Sequence, residues 1–190
     1  VVFSFLFLCI VEIFKSKHNP LANISITIFS LIWIAFFFEK IVYIRNLDGG
    51  FEFTMCMFLS VWACDSAAFY FGSKFGRKKI LPKVSPNKTW VGTFAGLLSS
   101  IILVYFLINL NFFKNINYSF KIIDILIMGF IFGGIGQLGD FFESMIKREF
   151  GIKDSGSLLQ GHGGILDRFD SLFFVIPSFY LYILLSIMTK

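Results

Sequence analysis

The chain is poor in charge: aspartate, glutamate, lysine and arginine make up only 15% of its 190 residues. A soluble domain usually carries about 25% charged residues, because its surface must face water. Here 56% of the residues are hydrophobic and the mean hydropathy is +0.78. The three cysteines lack Cys-x-x-Cys spacing and lie in apolar segments, which indicates packing rather than disulfides or metal ligation. These shortages exclude a soluble globular protein, a disordered chain and a disulfide-stapled secreted domain.

Long uncharged runs are present instead. Leu21–Phe38, Gly92–Phe113 and Ser171–Thr189 contain 18, 22 and 19 residues, near the ~20 that a helix needs to cross ~30 Å of hydrocarbon. Two further apolar runs contain one aspartate each, Asp65 and Asp124. We therefore predict an all-α polytopic integral membrane protein with about five full transmembrane helices and one partial helix. The predicted spans are 1–14 (partial), 21–38, 53–73, 92–113, 122–139 and 167–189.

The first residues do not resemble a cleaved leader. The chain begins at Val1, with no basic region before the apolar run and no small-residue cleavage site after it. We therefore expect a fragment that lacks N-terminal helices. Because neither an internal repeat nor a soluble segment is present, residues 1–190 are predicted to form one membrane-embedded domain.

Lysine and arginine are distributed unevenly between the two sets of loops. Loops 15–20, 74–91 and 140–166 hold eleven of them, whereas 39–52, 114–121 and the C-terminus hold five. Cytoplasmic loops of membrane proteins carry the excess of positive charge. We predict that the first set faces the cytoplasm, which places the two most polar loops on that face.

The loop at 74–89 combines cations with hydroxyl groups. It carries six cations and no acid. A positive flank that meets anionic headgroups explains its first part, but explains less well the Ser-Pro-Asn-Lys-Thr run just before a helix. Hydroxyls, a lysine and a helix N-terminus together favour phosphate binding. Ser85, Lys88 and Thr89 are therefore predicted substrate ligands, and Asp65, a costly charge inside a span, is either functional or a structural carboxylate.

A second polar stretch has a helical pattern. Asp140, Glu143, Ser144, Lys147 and Arg148 recur at helical spacing and fall on one face. An amphipathic interfacial helix with internal salt bridges is the simpler interpretation. It does not account for the motifs that follow, which are Lys-Asp-x-Gly at 153–156 and His-Gly-Gly at 162–164.

Asp167 and Asp170 stand one helical turn apart at the start of the last span. Two stacked carboxylates repel each other unless a cation lies between them, and a hard cation such as Mg²⁺ prefers oxygen ligands. His162, alone in a glycine loop, indicates a hydrogen-bonding residue more often than a base. Together these groups predict phosphoryl or nucleotidyl transfer on a lipid, at the cytoplasmic lip of the membrane.

At these residues the sequence resembles the phosphatidate cytidylyltransferase (CDP-diacylglycerol synthase) family. The family pattern Ser-x-x-Lys-Arg, Lys-Asp-x-Gly and His-Gly-Gly-x-x-Asp-Arg-x-Asp is matched in register, as is an upstream block that ends in Ser-Pro-x-Lys-Thr. The resemblance covers about residues 60–175. The matching residues are Asp65, Ala68, Phe69, Ser85, Pro86, Lys88, Thr89, Ser144, Lys147, Arg148, Lys153, Asp154, Gly156, His162, Gly163, Gly164, Asp167, Arg168 and Asp170.

The resemblance implies transfer of a cytidylyl group from CTP to phosphatidate, which gives CDP-diacylglycerol and pyrophosphate. It implies Mg²⁺ with or without a second cation, no nucleic-acid partner, a homodimer, and a bacterial-type inner membrane. The implied metal ligands are Asp140, Asp167 and Asp170. The implied catalytic residues are Asp140, Lys147, Arg148, His162, Asp167, Arg168 and Asp170. The implied substrate-binding residues are Ser85, Lys88, Thr89, Ser144, Gly163 and Gly164.

Two departures from the family keep alternatives open. Val91 stands where the family usually has Glu, and Gln160 stands where it has Pro. One alternative is a CTP-dependent polyprenol or phytol kinase, in which His162 or Asp65 gains importance as a base. A second is a transporter or channel lined by carboxylates, which the gathering of polar residues at one lip disfavours. A third is a catalytically inactive relative, which Val91 favours.

Overall fold

The computed structural model describes residues 2–15, 19–156 and 164–187, and most of these are helical. The helices are α1 (Val2–Lys15), α2 (Pro20–Arg45), α3 (Gly50–Phe75), α4 (Trp90–Asn109), α5 (Ile122–Glu149) and α6 (Leu166–Ser186). Among the described residues, α2 to α6 are long enough and apolar enough to cross a membrane. The chain is therefore a helical integral membrane protein, as the sequence predicts.

Several helices extend beyond the runs from which they were predicted. α2 continues past residue 38 to Arg45, and α5 runs from the apolar segment through the polar stretch to Glu149. Long polar side chains at a helix end reach the membrane interface. An uncharged run therefore corresponds only to the part of the helix that lies within the hydrocarbon. π-helical turns interrupt α2 at Leu31–Phe36 and α5 at Ile131–Ile135. α6 comprises a short first turn at Leu166–Phe169 and the segment Leu172–Tyr182, and it ends within a π-helical turn, Ile183–Ile187.

A β-hairpin connects α3 to α4. Strands β1 (Lys79–Leu81) and β2 (Ser85–Thr89) are antiparallel, with Lys79 opposite Thr89 and Leu81 opposite Ser85. The sequence predicts only a loop here, because the short strands show no alternation of apolar and polar residues. The hairpin holds the Ser-Pro-Asn-Lys-Thr run directly against the first turn of α4.

α3 and α4 approach each other closely through small residues. A Cβ on Gly92 would lie 2.6 Å from the carbonyl oxygen of Ala68, and one on Gly96 would lie 2.9 Å from that of Cys64. Helices in lipid gain no hydrophobic free energy from one another, so association depends on such close backbone packing. Large buried side chains such as Phe53, Phe132 and Phe179 fill the remaining core among α3, α5 and α6.

Polar groups occupy both ends of the helix bundle. At one end the carboxylate of Asp124 is buried and accepts hydrogen bonds from the Tyr182 hydroxyl at 2.6 Å and the Lys121 N–H at 2.7 Å. Burial and the neighbouring Asp124 raise the pKa of the Tyr118 phenol, which also donates to this carboxylate. The other end gathers the hairpin, the end of α5 and the start of α6. Asp124 is therefore a structural carboxylate.

Gly139 allows α5 and α6 to meet beside two of the predicted metal ligands. A Cβ at this position would lie 2.7 Å from the carbonyl oxygen of Asp170. Since Asp140 follows Gly139 directly, the glycine sets the separation between the backbones that carry Asp140 and Asp170.

We expect Gly139→Ala to separate α5 from α6. Forcing an extra methyl into a tight contact typically costs about 1–3 kcal/mol, so the melting temperature in detergent should fall. Gly134→Ala is the matched control, because its Cβ would meet only the ring of Phe130 at 2.9 Å, and this half-exposed ring can rotate away. Equal melting temperatures for the two variants would contradict the proposed close contact.

Candidate active site

A cavity of about 440 Å³ opens at the end of the bundle that holds the hairpin. α3, the hairpin, α4 and α5 all contribute to its wall. The polar residues most relevant to chemistry are Asp65, Ser85, Lys88, Thr89, Gln137 and Asp140. The upstream block of the sequence motif and the helix that begins the downstream block therefore share one cavity.

Thr89 is the N-cap of α4. Its Oγ1 accepts a hydrogen bond from the Gly92 N–H at 3.2 Å, and the residue is only 2% exposed. Glycine is required beside it, because a Cβ on Gly76 would lie 2.2 Å from this oxygen. The first turn of α4 thus begins at the cavity, where its unpaired N–H groups and helix dipole favour an anion.

Lys88 bonds the carboxylate of Asp140 across the cavity. Its Nζ also lies 4.8 Å from the ring centroid of Phe141. Both members of the pair are partly accessible, with 27% and 22% of the side chains exposed. The pair joins β2 to α5 and leaves the ammonium close to any anion that enters the cavity.

Asp167 collects hydrogen bonds from three separate segments. One oxygen accepts from Lys147 Nζ at 2.6 Å. The other accepts from the N–H and hydroxyl of Ser155, both at 2.9 Å, and from the Gly164 N–H at 2.7 Å. The chain at Gly164 passes so close to Ser155 that a Cβ there would lie 2.3 Å from the Ser155 hydroxyl. The hydrogen bonds of Asp167 therefore connect the start of α6 to α5 and to the segment that follows α5.

Glu143 is the residue of this group that the sequence analysis did not include among the site residues. Its side chain is 1% exposed, and Lys147 Nζ lies 3.1 Å from Oε1. In the described part of the chain neither oxygen of Glu143 has a partner in hydrogen-bonding geometry. The Lys147 ammonium thus lies between two carboxylates, Glu143 and Asp167, which compensate its charge.

The remaining predicted residues of α5 have structural contacts. Arg148 donates from Nε to the Val84 carbonyl at 3.3 Å and from a terminal nitrogen to the Ile152 carbonyl at 3.0 Å, while its side chain is exposed. Ser144 Oγ lies 3.5 Å from Asp140 Oδ1. Arg148 therefore links the hairpin turn to the segment that follows α5.

The structure thus arranges the predicted residues into two groups on one end of α5. Ser85, Lys88, Thr89 and Asp140 line or border the cavity, and Asp65 joins them. Lys147 and Asp167 form the second group with Gly164, which is buried. Arg168 lies exposed on the first turn of α6. The predictions for Gln160, His162 and Gly163 lie outside the described residues.

Sequence reasoning missed several groups. Ser155 falls within the Lys-Asp-Ser-Gly motif, and its position between two motif residues could have marked it. Gln137 stands one helical turn before Asp140 on the same face of α5, and this spacing could have marked it as a cavity residue. Val91 is 41% exposed and is not among the residues that line the cavity.

The carboxylates near the cavity fit a hard divalent cation that is also held by a substrate. Asp140 lies near enough to Asp65 and Asp170 for their charges to repel one another. Within residues 2–15, 19–156 and 164–187, no three His, Cys, Asp or Glu side chains converge to hold a metal alone. Mg²⁺ is commonly bound by one or two carboxylates together with substrate phosphates and waters. Asp140 and Asp170 meet that requirement, whereas the oxygens of Asp167 already accept hydrogen bonds from protein donors.

The fold and the site define a helical membrane protein with a polar cavity at one end of its bundle, lined by a lysine, a helix N-terminus and carboxylates. The sequence model of the cytidylyltransferase family matches residues 1–186. The chain therefore belongs to the cytidylyltransferase family.

Relatives in several bacteria are named phosphatidate cytidylyltransferases. The chain is 36% identical over 177 residues to that of Staphylococcus haemolyticus, which covers 93% of the chain and 65% of the relative. It is 38% identical over 158 residues to the protein of Bacillus subtilis, and the alignment covers 82% of the chain and 56% of that relative. It is 42% identical over 142 residues to the protein of Haemophilus influenzae, and the alignment covers 72% of the chain and 47% of that relative. The chain thus spans about half to two thirds of the length of these relatives.

We expect Asp167→Asn to loosen the junction between α5, Ser155 and Gly164. An amide offers a single acceptor oxygen and an NH₂ group, so it cannot accept all the hydrogen bonds that the carboxylate accepts. Leaving buried donors unpaired costs about 1–3 kcal/mol. The melting temperature should fall, and the amides of Ser155 and Gly164 should exchange hydrogen faster.

Hydrogen-exchange mass spectrometry in detergent measures both amides. Asp154→Asn is the matched control, because Asp154 is exposed in the same segment, and it should change neither quantity. Unaltered exchange at Ser155 and Gly164 in Asp167→Asn would rule out the fastening role of Asp167.

Proposed function

We propose that the protein transfers a cytidylyl group from CTP to phosphatidate and releases pyrophosphate. The observation that carries this proposal is the cavity in which Lys88, the N-terminus of α4 and Asp140 meet. It provides an ammonium, helix N–H groups and carboxylates within one space, which suits a polyphosphate with a bound cation. The names of the bacterial relatives support the choice of CTP and phosphatidate.

In the proposed reaction an oxygen of the lipid phosphate attacks the α-phosphorus of CTP. The new P–O bond forms as the bond from the α-phosphorus to the β-phosphate oxygen breaks, and pyrophosphate leaves. The attacking phosphate is already an anion, so no strong general base is needed. Catalysis then rests on alignment of two anions and on neutralisation of their charge.

Each group of side chains has a distinct role in this proposal. Lys88, Thr89 and Ser85 bind phosphate oxygens in the cavity. When the substrate binds, the ammonium of Lys88 leaves the carboxylate of Asp140 and contacts a substrate phosphate. Asp140 and Asp170 would hold Mg²⁺, which when bound neutralises the charge of the triphosphate. Asp167 positions Lys147 and the backbone at Ser155 and Gly164. Arg148 positions the hairpin. Arg168 and His162 remain candidate catalytic residues, and Ser144 and Gly163 remain candidate substrate contacts.

The membrane placement and assembly are also part of the proposal. We place the cavity at the cytoplasmic face of a bacterial inner membrane, because the loops at that end carry eleven of the lysines and arginines. A homodimer is retained from the family resemblance.

A lipid alcohol is the alternative acceptor. A hydroxyl nucleophile benefits from a general base, and Asp65 on the cavity wall could supply one. A transporter fits less well, since the carboxylates Asp65, Asp140 and Asp170 gather at one end of the bundle rather than along a path through it.

Transfer of label from [α-³²P]CTP into lipid tests the proposal. The chain in proteoliposomes should label the lipid extract with phosphatidate as acceptor and not with polyprenol. Lys88→Met should lower turnover by about 100-fold or more, as removal of a charge-stabilising group typically does. Lys114→Met, at an exposed position at the opposite end, should keep the unmodified rate. Labelling of polyprenol from [γ-³²P]CTP, whose label a kinase would transfer, would establish the alternative, and unchanged turnover in Lys88→Met would remove Lys88 from the site.

The sidedness of the cavity is tested with a pair of cysteine substitutions. Asn87→Cys, beside the cavity, should resist an impermeant thiol reagent added outside intact cells, whereas Asn117→Cys at the other end should react. Both asparagines are exposed, and a Cys9→Ser background removes the one native cysteine that is not buried. The reverse pattern of labelling would invert the proposed topology.

A further inference from the structure

The cations around the hairpin are exposed and unpaired. Lys74, Arg77, Lys78, Lys79 and Lys83 are all exposed, and within the described ranges none of them forms an ion pair. No acid occurs between Asp65 and Asp124 along the chain. Among the residues that the structure describes, Lys88 is the one cation of this region with a carboxylate partner. Such a uniform positive surface attracts anions.

Hydrogen bonds to helices anchor the backbone of the hairpin that carries Lys78, Lys79 and Lys83. The Trp90 N–H donates to the Lys78 carbonyl at 3.1 Å, and Arg148 donates to Val84 at the hairpin turn. Both ends of the hairpin are therefore anchored to helices. A basic surface held in this way differs from a loose positively charged flank, which has no defined shape.

Apolar side chains lie beside the cations. Phe75, Leu81 and Trp90 are 54%, 43% and 44% exposed. Tryptophan and long cationic side chains are favoured where headgroups meet acyl chains, because each has an apolar body and a polar end. Such a mixture of exposed apolar and cationic side chains is typical of the headgroup level of a bilayer.

We propose that the hairpin is a binding surface for anionic phospholipid headgroups, with Lys78 and Lys83 as its contacts. Charge complementarity supports this occupant: the surface carries cations only, and the nearest abundant anions for a side chain at the interface are lipid phosphates. Lys79 lies between the two contacts in sequence and also lines the cavity. The surface would therefore concentrate anionic lipid at the cavity mouth, although binding itself does not depend on the proposed reaction.

Lipid retention tests this proposal without an activity assay. The protein is released from nanodiscs that contain equal phosphatidylglycerol and phosphatidylcholine, and native mass spectrometry counts the retained lipids. We expect the unmodified chain to retain phosphatidylglycerol preferentially, and less so at 1 M salt because charge interactions are screened, to a Debye length of about 3 Å. Lys78→Gln/Lys83→Gln should lower the preference by about 30-fold, because each lysine near an anionic surface typically contributes about 1 kcal/mol.

Two matched variants separate this surface from general charge. Lys78→Arg/Lys83→Arg keeps the charge and should keep the preference. Lys114→Gln/Lys121→Gln removes two exposed cations at the opposite end and should leave most of the preference intact. Equal melting temperatures for all forms establish that each is folded. The proposal would be overturned if the unmodified chain showed no preference for phosphatidylglycerol, or if both glutamine pairs lost the preference to the same extent. The cations would then be determinants of topology only.

Discussion

The ion pair between Lys88 and Asp140 joins the hairpin to α5, and the rest of the site is arranged around it. The residue after Lys88 caps α4, and the residue before Asp140 is the glycine on which α6 packs. One contact thus relates four elements. In a partly buried setting such a pair interacts more strongly than it would in water, yet both side chains keep access to the cavity. The pair can therefore organise the site and still exchange its partner for a substrate anion.

α5 contributes residues to both groups of the site, because the helix continues without a break from its apolar segment into the polar stretch. Its π-helical turn at Ile131–Ile135 lies just before the polar stretch, and such a turn shifts the angular position of every residue that follows. Gln137 stabilises this region by donating to the Gly133 carbonyl at 2.7 Å and the Thr93 carbonyl at 3.1 Å. The polar face of α5 is thereby directed towards the hairpin and the start of α6 rather than towards lipid.

The carboxylates at the two ends of the bundle differ in their partners. Asp124 is buried and accepts from hydroxyl and backbone donors, so its charge is compensated within the fold. Asp65, Asp140 and Asp170 instead lie near one another, and among them Asp140 bonds a lysine that is open to the cavity. A bound cation would relieve the mutual repulsion of these three groups. This contrast separates a structural charge in a membrane from a charge available for binding, although Asp65 and Asp124 both appear in the sequence as a single aspartate in an apolar run.

The amino-acid sequence was sufficient to identify a helical membrane protein, because uncharged runs of helical length are stable only in a bilayer. It also predicted most of the polar residues that meet at the cavity end of the bundle, because charged residues at the edge of such runs are costly and fall into recognisable spacings. The tertiary structure alone decided the hairpin, whose strands lack a periodic pattern, and the burial of Glu143 beside Lys147. It also decided that Asp167 bonds Ser155 and Gly164, a role that spacing does not distinguish from metal ligation. The physical reason is that spacing along one helix specifies a face, whereas the partner of that face depends on how closely glycines allow the neighbouring helices to approach.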